Sequence, residues 1–173
     1  MLNSKVEKVL NKQIELELFS SQLYLAMASW AEKNGYNGSA NFLYAHSDEE
    51  RGHMLKLFHY VNDRNGHAIV PPVEQPKSEY ESIQAVYEEI YEHEKMISSE
   101  INNLVGVCYE EKDFTTANFL QWYVQEQIEE ESLFSTVLDK LNLLGGDKAR
   151  LYMFDNEMEK LALAGETTSE NEQ

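Results

Sequence analysis

A helical apolar stripe broken at its centre by charge constrains this chain more than any other feature. Leu43, His46, Glu50, His53, Leu57 and Tyr60 step by three and four along one run, the spacing of a single buried helix face. Glu50 and His53 stand in the middle of it. An unpaired buried charge costs on the order of several kcal/mol, so the fold must bring it a partner. A metal ion held between helices is one such partner. The same break recurs in three more stripes. The first runs Leu10, Ile14, Glu17, Ser21, Tyr24, Ala28. The next runs Ile83, Tyr87, Ile90, Glu94, Ile97, Ile101, Leu104, Cys108, and the last Leu120, Tyr123, Gln127, Glu130, Phe134, Val137, Leu141.

The breaks are in register. Glu17 precedes Glu50 by 33 residues and His53 by 36, and Glu94 precedes Gln127 by 33 and Glu130 by 36. This repetition predicts two helical hairpins, each setting one carboxylate opposite a pair at i, i+3. The first helix is expected from a capping box at Ser4 and Glu7 to about Asn34, and the second from about Ser39 to Asn65. A second capping box at Ser78 and Glu81 predicts the start of the third helix, which runs to about Glu111. The fourth is expected from an Asp113 cap to Gly145 and Gly146. Between the second and third helices, Gly66 to Ser78 holds all three prolines, Pro71, Pro72 and Pro76. Its thirteen residues reach roughly 45 Å when extended, enough to run the length of a 27-residue helix of roughly 40 Å. The fold class is therefore all-α: a ferritin-like four-helix bundle of two antiparallel hairpins joined by a long crossover. A short fifth helix follows, from about Lys148 to Leu161, with Leu151, Phe154, Met158 and Leu161 on one face. It either covers an end of the bundle or packs against other subunits. The domain is expected to span 1–161, and the polar tail 162–173 to be disordered.

Composition excludes several functions. The net charge of -17 opposes binding to nucleic acid or to an anionic membrane surface. No stretch is long and apolar enough to span a bilayer. The single Cys108 rules out an internal disulfide framework and fits a reducing cytoplasm. Hydrolytic triads, phosphate loops and Cys/His zinc spacings are absent.

At mid-bundle, Glu17, Glu50, His53, Glu94, Gln127 and Glu130 would converge. Oxygen donors with one imidazole suit iron, manganese or zinc. Glu50 is placed to bridge two ions, with Glu17 and His53 completing one site, and Glu94, Glu130 and Gln127 the other. The bland alternative is a polar network closed by its own hydrogen bonds. Nearby, Glu49, Glu126, Glu129 and Glu130 form either a third cation site or a solvated acidic face. Tyr24 either bonds a ligand such as Glu130, supplies an electron, or simply packs. His46, seven residues before His53 on the same stripe, either supports the ligands from behind or is a satisfied core histidine, and His59, His67 and His93 read as surface or loop residues.

Glu49-Glu50-Arg51-Gly52-His53, together with Asn118-Phe119-Leu120-Gln121-Trp122-Tyr123-Val124-Gln125-Glu126-Gln127-Ile128-Glu129-Glu130-Glu131, closely resembles the bacterial non-haem ferritins. The resemblance covers residues 1–161. It implies an iron storage protein with ferroxidase activity: a cytoplasmic homo-24-mer that oxidises iron(II) with dioxygen or hydrogen peroxide and keeps the iron(III) mineral inside its shell. It implies one iron at Glu17, Glu50 and His53, and a second at Glu50, Glu94 and Glu130 with Gln127 close by. A third site is implied at Glu49, Glu126, Glu129 and Glu130, with Tyr24 beside the centre. Bacterioferritins differ in carrying Glu-x-x-His where this chain has Gln127 and Glu130. They also have a haem-ligating methionine where this chain has Arg51, so no haem is expected. Other di-metal catalysts, such as a manganese catalase, and a non-catalytic scaffold with a buried polar layer remain alternatives on the residues alone.

Overall fold

The computed structural model describes residues 2–145 and 147–169. Six helices follow in order: α1 (Ser4–Lys33), α2 (Asn37–Asp63), α3 (Ile83–Glu110), α4 (Phe114–Phe119), α5 (Gln121–Leu144) and α6 (Lys148–Ser169). The expected fourth helix is thus two segments. They meet at Leu120, a wholly buried residue whose carbonyl accepts from both Tyr123 and Val124 N–H, so α4 and α5 act as one rod with a tightened turn.

The connections fix the topology. Gly35, at φ +84°, turns the chain from α1 into α2 in a left-handed conformation that glycine adopts without a Cβ clash. At one end of the bundle, Asn3 Nδ2 donates to Glu111 Oε2 at 2.9 Å. At the other, Trp30 meets Tyr80 edge-on at 5.7 Å and Lys33 pairs with Glu79. α1 is therefore antiparallel to both α2 and α3, and α2 and α3 run parallel, as the long crossover requires. Asn11 holds that crossover along α1: its amide nitrogen donates to the His67 carbonyl at 3.0 Å and its Oδ1 accepts from Ile69 N at 2.7 Å.

Three expected helix ends move. Asn3, not Ser4, caps α1, its side chain accepting from Lys5 N at 2.8 Å. Asparagine is as strong a cap as serine, and here its amide also ties α1 to α3. α3 begins at Ile83 with Ser82 as its cap, Oγ accepting from Ala85 N at 3.1 Å. The Ser78 capping box does not form, because Tyr80 is drawn into the core against Trp30 and its segment stays extended. The fifth helix runs to Ser169 rather than Leu161, so residues 162–169 of the expected disordered tail are helical, and 170–173 lie outside the described residues. Ala162 is buried in the core, and Leu161-Ala162-Leu163-Ala164 are strong helix formers, so adding turns to a helix already docked is cheap. Gly146, expected at the end of the fourth helix, also lies outside the described residues; Gly145 ends α5 at φ +61°.

α6 covers the bundle end where α2 begins. Phe154, Met158 and Ala162 enter the core, and Phe154 meets Tyr87 edge-on at 5.7 Å. The Asp155 carboxylate accepts from Gly38 N at 2.9 Å and Ser39 N at 2.8 Å, satisfying free N–H groups at the start of α2 from another helix. A Cβ on Gly38 would lie 1.9 Å from the Asp155 carbonyl oxygen, so only glycine admits this approach.

The apolar interior divides in two. One cluster gathers Tyr24, Met27, Leu43, Tyr87, Ile90, Phe134 and α6. The other gathers Val6, Leu10, Ile14, Leu57, Val61, Ile97, Ile101, Leu104, Leu120 and Tyr123. The broken stripes fall between them as one polar layer across the bundle. No helix among the described residues is long and apolar enough to cross a membrane.

Candidate metal centre

Each long helix contributes to the layer from mid-length. Glu17 is 0 % exposed, Glu50 4 %, His53 9 %, Glu94 1 %, Gln127 5 % and Glu130 6 %, a degree of burial that carboxylates tolerate only with compensation. Protein partners supply part of it. Gln13 Nε2 donates to Glu17 Oε1 at 2.6 Å. Tyr24 Oη donates to Glu94 Oε1 at 2.6 Å, and Gln127 Nε2 donates to Glu94 Oε2 at 3.0 Å. Glu17 Oε2, His53 Nδ1 and Glu130 Oε2 are buried with no hydrogen-bond partner.

Two of these unpartnered atoms, Glu17 Oε2 and His53 Nδ1, face one another. His53 Nδ1 lies 3.4 Å from Glu50 Oε2 and 3.9 Å from Glu17 Oε2. Glu17, Glu50 and His53 each offer a ligand atom within 4.8 Å of the other two. Burial, reinforced by Glu50, raises the Glu17 pKa well above the ordinary range. Burial and then Glu94 do the same for Glu50 and for Glu130. Burial also raises Glu94, against the opposing hydrogen bonds from Gln127 and Tyr24. Four carboxylates that repel each other's charge form a site that a divalent cation would relieve.

Tyr24 does bond a carboxylate of the layer, but it is Glu94 rather than Glu130. Gln127 turns its amide nitrogen, a donor that cannot ligate a cation, toward Glu94, and so it orients that carboxylate. Glu49 and Glu126 lie beside the layer and form a further group with His53. Burial raises the Glu126 pKa as well. Glu129 is exposed, and its Oε1 accepts from Gln125 at 3.1 Å; it joins none of the close ligand groups found among the described residues.

One histidine departs from its expected place, and one glutamine joins the layer unexpectedly. His46 is buried at the edge of the layer, its Nε2 3.9 Å from Glu130 Oε2. His93 is not a surface residue: it packs on Phe19 and its Nε2 lies 2.8 Å from Ser20 Oγ, and burial lowers its pKa to about 4. His59 and His67 are exposed, as expected. Gln13 was missed because it lies off the central seam. Its position four residues before Glu17 was the available signal, since i and i+4 side chains meet on a helix. Trp122 stacks on Tyr123 at 4.5 Å, 5.3 Å from the His53 ring, with Lys56 Nζ 3.5 Å above its centre.

Two antiparallel hairpins with carboxylates and an imidazole meeting at mid-height define a helical bundle with a candidate metal centre at its middle. The comparisons narrow the class. A family model described as a ferritin-like domain matches residues 7–144. A probable bacterial non-heme ferritin-like protein of Haemophilus influenzae is 50 % identical over 162 residues, covering 94 % of this chain and 98 % of its own. The bacterial non-heme ferritin of Campylobacter jejuni is 43 % identical, covering 95 % and 98 %. An open pore ferritin from Archaeoglobus fulgidus superposes with a TM-score of 0.90 at 41 % identity, covering 91 % of this chain and 96 % of its own. The chain belongs to the ferritin family.

Proposed function

We propose that this protein stores iron and that each subunit is a ferroxidase. The observation that supports the reading best is the set of buried, unpartnered ligand atoms, Glu17 Oε2, His53 Nδ1 and Glu130 Oε2. A polar layer serving only structure would close on itself through hydrogen bonds; this one leaves lone pairs turned inward. Glu17, Glu50 and His53 take one iron(II), and Glu50, Glu94 and Glu130 take a second. Gln127 and Tyr24 hold Glu94 in place. Each iron(II) gives one electron to dioxygen, and with two protons the products are two iron(III) and one hydrogen peroxide. A peroxide molecule can in turn accept two electrons from two further iron(II) ions, together with two protons, giving two waters and two more iron(III). The protein supplies proximity, and its negative charge favours the trivalent product. Glu49, Glu126, Glu129 and Glu130 serve a third cation beside the centre.

Storage requires a shell, which we take to be a cytoplasmic homo-24-mer. Exposed apolar side chains at Leu143, Tyr152 and Met153, and at Ile69, Val70 and Val73 on the crossover, support burial against other copies.

The test is anaerobic loading with iron(II) followed by oxygen, on the native protein and on Glu50→Ala, with particle size recorded in parallel. We expect rapid oxidation of at least two irons per chain in a large particle, abolished by the substitution. Oxidation no faster than that of free iron, unaffected by Glu50→Ala, would refute the reading.

A further inference from the structure

A row of aromatic rings leaves the metal layer between α2 and the α4–α5 rod, and its far end is equipped to lose an electron. The His53 ring lies 5.3 Å from that of Trp122. Trp122 meets Phe119 edge-on at 6.4 Å, and Phe119 stacks on Tyr60 at 3.7 Å with the two planes 6° apart. Electrons tunnel readily between rings this close. Oxidation of an indole or a phenol to a neutral radical also requires an acceptor for its proton. Trp122 has none: its Nε1–H is buried without a hydrogen-bond partner, and the Lys56 ammonium 3.5 Å above the ring opposes positive charge there. Tyr123, stacked on Trp122 at 4.5 Å, leaves its Oη unpartnered as well. Tyr60 is different. Its Oη donates to Thr116 Oγ1 at 3.0 Å, and Thr116 Oγ1 donates to Asp113 Oδ2 at 2.7 Å. Arg64 donates to the same Tyr60 oxygen and sits 3.3 Å from both Asp113 carboxylate oxygens. A proton leaving Tyr60 thus has a two-step path to a carboxylate, and Arg64 keeps a donor on the oxygen it leaves.

We propose that Tyr60 is an outlet for oxidising equivalents from the metal centre, reached through Trp122 and Phe119. The need arises when peroxide meets a centre that holds a single iron(II). Peroxide takes up two electrons and two protons to become two waters. The iron supplies one electron and becomes iron(III). Tyr60 supplies the other, and its phenolic proton passes through Thr116 to Asp113, leaving a neutral phenoxyl radical. Without this outlet the second electron is taken from the side chains around the iron. Tyr60 is half-buried, so a small reductant such as ascorbate restores it by giving up one hydrogen atom. Tyr24 also has a carboxylate acceptor, Glu94, but it is buried within the layer and leads nothing away from it. The proposal rests on the ferroxidase reading, since it requires iron(II) at the centre.

The assembled protein is loaded with one iron(II) per chain without oxygen and then given peroxide. We expect a phenoxyl signal by freeze-quench electron paramagnetic resonance, and a spin-trap adduct that mass spectrometry of the native protein places on Tyr60. In Tyr60→Phe, which keeps the ring against Phe119, the adduct is lost and oxidation of His53 and Trp122 rises. Asp113→Asn retains a cap for α4 but is no proton acceptor, and it should slow phenoxyl formation at least ~10-fold, an effect that a merely structural Tyr60 would not show. Suppose peroxide is consumed faster than in Glu50→Ala. Then no adduct at Tyr60 in the native protein overturns this proposal alone, and so does equal oxidation of His53 and Trp122 in the native protein and in an assembled Tyr60→Phe. Peroxide consumed no faster than in Glu50→Ala overturns it together with the central reading. The native adduct needs no substitution, so a folding defect in a variant cannot hide the answer.

Discussion

Glu17→Gln should make the metal-free protein more stable while impairing its chemistry. Glu17 is fully buried, has one hydrogen bond, from Gln13, and leaves Oε2 without a partner beside Glu50 and His53. Its pKa is raised by burial first and by the Glu50 charge second. Between the ordinary carboxylate range and that raised value, the folded chain binds more protons than the unfolded one, so this group's contribution to stability falls as pH rises. Glutamine keeps the shape, still accepts from Gln13, removes the charge and adds a donor toward Glu50. Relief of a buried, poorly satisfied carboxylate is worth about 1–3 kcal/mol. At about 2–4 °C per kcal/mol for a chain of this size, melting should rise by roughly 2–12 °C at pH 8. At pH 5 the native carboxylates take up protons, and the difference should shrink. Zinc should reverse the order, because the native site gains about 2.7 kcal/mol at a hundredfold excess over Kd and the variant has lost a ligand. Calorimetry of metal-free and zinc-loaded samples at one protein concentration measures all three effects. A variant less stable than the native protein at pH 8 without metal, with no pH dependence in the difference, would refute the reasoning.

Tyr24→Phe removes the 2.6 Å bond to Glu94 and should slow iron oxidation several-fold without changing particle size, as read by stopped-flow absorbance and light scattering. Asp155→Ala deprives the start of α2 of two acceptors; a loss of about 1–2 kcal/mol should appear as faster hydrogen exchange at Gly38 and Ser39. Gly38→Ala, whose Cβ would collide with the α6 backbone, should expose α6 to proteolysis while oxidation at the centre persists.

The bundle and the layer were legible because both follow from periodicity. Glu17, Glu50, Glu94 and Glu130 interrupt four stripes at matching positions, and a helix of fixed pitch carries that registry into space without further information. What was not legible depends on the rotation of one helix against another. Tyr24 could be placed on the inner face of α1, but whether its hydroxyl reaches Glu94 on α3 or Glu130 on α5 depends on how the two hairpins are turned. The start of α3 failed for a similar reason: Ser78 and Ser82 carry equivalent capping hydroxyls, and the docking of Tyr80 on Trp30, 50 residues earlier in sequence, chooses between them. His46 shows the limit most clearly. Pattern alone puts it on the core stripe, and there it lies: buried, packed on rings and bonded through Nδ1. The bond satisfies Nδ1, and Nε2 lies 3.9 Å from Glu130 Oε2, which has no hydrogen-bond partner. Local spacing puts the ring in the core, and only the rotation of α2 against α5 decides that its second nitrogen meets Glu130.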